Sequence, residues 1–74
     1  MKPTPEQQAL LNTYAVQCRE RHIARCSGAD QHLATFALTN PSLYLSECAY
    51  SAHQAILHGH DSWERIKASV EENS

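Results

Sequence analysis

The densest pattern of apolar and polar positions in this chain runs from Asn40 to Gly59, NPSLYLSECAYSAHQAILHG. At about 100° per residue, Leu45, Ala49, Ala52 and Ile56 fall in one line, flanked by Tyr44, Cys48 and Ala55. This is a core face, and its alanines let a neighbouring helix come close. Leu43, Tyr50 and Leu57 recur every seven residues on roughly the opposite side, with Ser46 and His53 beside them. A helix apolar on two faces is either central in its domain or half of an interface. The sequence therefore reads as organised around this helix, bounded by Asn40 as a side-chain cap, Pro41 at the first helical position and Gly59 as the left-handed stop.

The same reading predicts three further helices. Thr4-Pro5-Glu6-Gln7 is a helix start, with Thr4 capping, Pro5 leading and Gln7 completing a capping-box pattern. The first helix buries Leu11, Tyr14, Ala15, Cys18, His22 and Cys26 and stops at Ser27-Gly28. Arg19, Glu20, Arg21 and Arg25 spread around the remainder, and Val16 and Ile23 form a minor second apolar strip. Ser27 to Asp30 offers the next cap, and a short helix buries Leu33, Phe36 and Ala37 until Asn40-Pro41 breaks it. Asp61 is expected to cap the last helix, with Glu64 three residues on and Trp63, Ile66 and Val70 as its stripe.

Helices are thus expected at about 5–26, 28–39, 41–58 and 62–72, in a single domain covering residues 1–74. Connections this short make consecutive helices neighbours. The fold class is all-α, a small three- to four-helix bundle, with an intertwined helical homodimer as the alternative arrangement.

Composition narrows the picture in three ways. With 42% hydrophobic and 19% charged residues the chain is too apolar for a disordered tail. At 74 residues it buries little, and a single core of this size rarely supplies more than about 3–5 kcal/mol. A second subunit or a partner would therefore stabilise it. The net charge of −2 and pI near 6.2 give no general attraction to nucleic acid or anionic membrane.

Cys18, Cys26 and Cys48 are odd in number and follow no disulfide-framework or CxxC spacing, so they read as free thiols in a reducing compartment. The opening MKPTPEQQALL has no apolar run of signal-peptide length, and no later stretch is long enough to span a bilayer. Cytoplasm is the expected location.

Candidate chemistry is sparse. Cys18, His22 and Cys26 are spaced by four and lie on one helix face, which suggests a metal chelate. Yet Cys18 and Cys26 stand roughly 12 Å apart along a helix rising 1.5 Å per residue, too far for two sulfurs on one zinc. Two small buried thiols and a histidine lining a helix seam explain the pattern better, so no metal and no cofactor are expected. His58 suits a helix C-terminus, where the dipole favours a protonated imidazole.

The run from Leu33 through Ala37 and Asn40-Pro41-Ser42 to Tyr44 loosely follows helix-turn-helix spacing. Leu38 stands where that turn usually has glycine, however, and no Lys or Arg occurs from Cys26 through Glu64. DNA binding depends on cationic neutralisation of phosphates, so nucleic acid is not an expected partner. No glycine-rich phosphate loop, HExxH, nucleophile elbow or paired-carboxylate signature is present, and no enzymatic activity is expected.

What remains is a small protein–protein interaction module acting as a regulator, inhibitor or adaptor, of the compact type that mobile elements carry. Its partner is another protein or a second copy of itself. The partner-binding surface is expected on the second stripe of the third helix, at Leu43, Tyr50 and Leu57, with Glu47 and His53 at its margins. A DNA-binding regulator with a degenerate helix-turn-helix is the first alternative, and a metal-binding bundle the second.

Overall fold

The computed structural model describes residues 2–24 and 31–74. Among them the chain forms four α-helices and no strand: α1 (Pro5–Ala24), α2 (Gln31–Thr39), α3 (Pro41–Leu57) and α4 (Trp63–Glu72). This is a small all-α bundle. The expected burial of Cys26, the stop at Ser27-Gly28, the cap at Ser27 to Asp30, the side chain of Leu33 and the placement of Arg25 lie outside what is described.

The bundle is organised around α1, not α3. α1 packs against each of the other three helices. It can do so because its apolar residues are spread around its circumference instead of being gathered on one side. Leu11 and Ala15 face α3 and α4, joining Ala49, Ala52 and Ile66 in one buried cluster. Leu10, Tyr14, Leu45, Cys48, Ile56 and Trp63 pack around that cluster from the half-buried shell. Among the described residues, Leu11 and Ile66 are the large side chains that are fully enclosed. Much of the remaining core is alanine, so the core is thin.

α1 and α3 run antiparallel. His22, near the end of α1, meets Tyr44, near the start of α3, with ring centroids 5.8 Å apart in an edge-on arrangement. Phe36 of α2 closes over the same tyrosine at 6.1 Å. Ala34 and Ala37 are completely buried there, and Arg19 of α1 donates from Nε to the carbonyl oxygen of Ala37 at 3.0 Å. At the other flank, α4 lies along α1 in the same direction. Trp63 sits beside Leu10, and Gln17 Nε2 donates to the carbonyl of Val70 at 3.1 Å. The other amide atom of that side chain, Gln17 Oε1, is buried without a partner.

The helix ends agree with the sequence at two places and depart from it at two. At α1 the capping box forms in full: Gln7 N donates to Thr4 Oγ1 at 3.2 Å and Thr4 N to Gln7 Oε1 at 2.9 Å. At the end of α3, Gly59 adopts φ +78°. The amides of Gly59 and His60 then reach back to the carbonyls of Ile56 and Ala55, at 3.2 and 2.8 Å, closing a Schellman motif.

Asn40, expected to cap α3, makes no side-chain cap; its Nδ2 donates to Thr39 Oγ1 at 3.2 Å instead. Asp61 does not cap α4 either. Ser62 takes that role, its Oγ accepting from Arg65 N at 3.2 Å. The Asp61 carboxylate is occupied by the Arg65 guanidinium, which grips both of its oxygens, and it also accepts from Ser62 N at 2.8 Å. A bidentate arginine pair outcompetes a single backbone amide for a carboxylate.

Candidate interaction face on α3

Leu43, Tyr50 and Leu57 project from α3 away from the core and are 52%, 67% and 44% exposed. Their seven-residue spacing sets them in a nearly straight row two helical turns apart. Neither α2 nor α4 reaches over them, because both dock mainly on α1. Glu47 lies beside the row and is exposed, as placed from the sequence.

His53 requires a correction. It is not at the solvent margin of the row but is 9% exposed, with its ring 5.9 Å from that of Trp63. On the helical wheel His53 stands between the core line and the Tyr50 row, about 100° past Ala52. The arrival of the Trp63 indole at the start of α4 decides which side it joins. Nothing in the local sequence of α3 signals that arrival.

Between the exposed row and α1 runs an open groove of about 520 Å³. Gln8, Asn12 and Val16 line it from α1, and Ser46, Tyr50 and His53 from α3. Among the described residues no charged side chain lines it. Val16 is 43% exposed on the far wall from Tyr50, so the groove is bordered by apolar groups on both sides. Gln8 and Asn12 satisfy one another through a 2.9 Å hydrogen bond from Nε2 to Oδ1. An apolar side chain can enter this groove without stripping water from an ion, which is the costly step in burying polar surface.

Sequence reasoning found the row but not its opposite wall. Val16 was visible only as part of a minor strip with Ile23, and its pairing with Tyr50 depends on the antiparallel register of α1 and α3. Leu38, on α2, is another exposed leucine at 57% that periodicity did not single out.

The rest of the molecule offers little chemistry of other kinds. Among the described residues, no three His, Cys, Asp or Glu side chains converge as a metal site would require. No described helix is long and apolar enough to cross a membrane. No protein-family model, curated protein or solved structure matches this chain.

Proposed function

We propose that this chain is a non-enzymatic protein-interaction module whose working face is the Leu43–Tyr50–Leu57 row with the adjoining Val16–Tyr50 groove. Its first occupant is a second copy of the same chain. The observation that carries the reading is the row itself: three large apolar side chains in heptad register, left in water beside an uncharged groove. A row with seven-residue spacing is self-complementary, since two copies related by a two-fold axis can interdigitate along it.

The thin core gives such pairing a stabilising role, and the module would act as a regulator, inhibitor or adaptor in its paired form. Its free thiols Cys18 and Cys48 fit a reducing compartment, and we assign it to the cytoplasm.

The helix-turn-helix alternative finds less support. Asn40 alone separates α2 from α3, where such a motif uses a turn of about 3–4 residues, and α3 carries no Lys or Arg.

Sedimentation across a concentration series tests the proposal. The parent chain is expected to dimerise, and Tyr50→Glu to sediment as a helical monomer. Gln54→Glu, a polar neighbour, should leave the association unchanged. A parent chain that stays monomeric and fully folded at high micromolar concentration would remove the second copy as occupant.

A further inference from the structure

The seam between α1 and α3 carries a second feature, on the side away from the groove. One helical turn from the His22–Tyr44 contact, back along α1 and forward along α3, stand Cys18 and Cys48. One turn further stand Tyr14 and Ala52. All four residues of those two turns line one open cleft of about 260 Å³, so the two thiols share a single solvent-reachable space. Both are half-buried free cysteines.

Their surroundings differ. Arg21 donates from Nη2 to Cys18 Sγ at 3.0 Å, placing a permanent cation on that sulfur. Among the described residues no cation donates to Cys48, which lies beside the Tyr44 hydroxyl; burial pushes its thiol up, so it stays protonated at neutral pH. In disulfide exchange the attacking sulfur acts as the thiolate.

Ala15, Ala49 and Ala52 form the buried part of this seam, and side chains that small let the two helices approach closely. A disulfide needs Cα atoms about 4.4–6.8 Å apart.

We propose that Cys18 and Cys48 form a thiol–disulfide exchange site, Cys18 as the attacking sulfur and Cys48 as the resolving one, taking low-molecular-weight disulfides of the glutathione class as oxidant. The Cys18 sulfur attacks one sulfur of the small disulfide, forming a mixed disulfide and releasing one small thiolate, which takes up the proton of the Cys18 thiol. Cys48 then gives its proton to solvent and attacks the Cys18 sulfur, expelling the second small thiolate, which is protonated in turn. The protein loses two hydrogens and one small disulfide becomes two small thiols. The product covalently staples α1 to α3 across the cleft.

The test uses purified full chain carrying Cys26→Ser, exposed to oxidised glutathione, quenched in acid and read by intact mass. The expected product is a chain lighter by two hydrogens, with the bond mapped to Cys18–Cys48. Adding Cys48→Ser should halt the reaction at one glutathionyl adduct on Cys18, and adding Cys18→Ser should leave the chain reduced over the same period. Arg21→Gln should slow the first step several-fold while leaving the helical signal unchanged. In urea, where the fold is lost, the preference for Cys18 should vanish. A parent chain that stays reduced, or that accumulates stable adducts without an internal bond, overturns the site. So does a Cys18→Ser chain that takes up glutathione as fast as its parent.

Discussion

Arg19 on α1 and Ala37 on α2 are joined by a 3.0 Å hydrogen bond from guanidinium to backbone carbonyl. The acceptor lies in the last turn of α2, where carbonyls lack intrahelical partners and carry the negative end of the helix dipole. A residue that reads from sequence as one more surface cation is therefore the fastening between two helices. Arg19→Leu should destabilise the fold by about 1.5–3 kcal/mol, the usual range for a hydrogen bond to a charged group. Thermal melts of the two proteins check this. Arg19→Lys should recover only part of the loss, because a lysine lacks the planar fork.

Among the described residues the core rests on few large side chains, with Leu11 and Ile66 wholly enclosed. Leu11→Ala or Ile66→Ala should cost about 2–5 kcal/mol, comparable with all that a core of this size supplies. Both variants are expected to be largely unfolded by circular dichroism at room temperature. Ile66→Val, which removes one methyl group, should remain folded with a loss of about 0.5–1.5 kcal/mol in urea titration. A folded Leu11→Ala protein would mean that the bundle draws its stability from elsewhere.

Tyr44 and Cys48 make stability fall in alkali. Burial raises the phenol of Tyr44 well above its ordinary 10.0 and the thiol of Cys48 above its ordinary 9.0. In the unfolded chain both groups lose their protons at those ordinary values, whereas the folded chain holds on to them. The unfolded state therefore binds fewer protons over this range, and stability decreases with pH. It should be constant to about pH 9 and decline steadily from there through the raised folded values. Urea midpoints measured from neutral pH upward give the profile. Tyr44→Phe should flatten the upper part of the decline while lowering stability at neutral pH, since His22 loses its hydrogen-bond partner.

At the start of α4 the two neighbouring polar residues do different work. Ser62→Ala removes the cap and should cost about 1 kcal/mol. Asp61→Asn breaks an ion pair whose arginine is mostly in solvent, so it should cost less than about 1 kcal/mol. The Arg65 guanidinium holds the Asp61 carboxyl below its ordinary 3.8. Its small contribution is present above that pH and is lost as the pH falls through the lowered value. Melts of the two variants at neutral pH, followed by the parent at acid pH, separate the roles.

How far the sequence carried these conclusions varied with the kind of residue. Periodicity located all four helices and the buried line Ala49–Ala52 on α3, because burial repeats with the helical turn and leaves a regular trace. The capping box at Thr4 was legible for the same reason, as its partners are three residues apart. The hub role of α1 was not. A helix contacted on three sides has apolar residues all round and shows little periodicity, so α3, with two clean stripes, looked central instead. His53, Arg19 and the choice of Ser62 over Asp61 were fixed by side chains arriving from elsewhere, namely Trp63, the end of α2 and Arg65. The exposed row was legible, but its groove was not, since Val16 becomes its opposite wall only through tertiary register.

The position of α1 at the centre also bears on how the molecule is made. Its partnership with α4 joins residues far apart in the chain: Gln17 reaches Val70, and Tyr14 accepts from Arg65 at 3.2 Å. During synthesis, α1, α2 and α3 emerge first and can already pair, yet the side of α1 that receives Ile66 stays bare until α4 follows. A nascent chain halted after Gly59 would display Leu10 and Leu11 to whatever chaperone or protease is at hand. Such a fragment should be cleaved rapidly within α1 under mild proteolysis, where the full chain resists. Adding a separate α4 peptide at high concentration should restore protection.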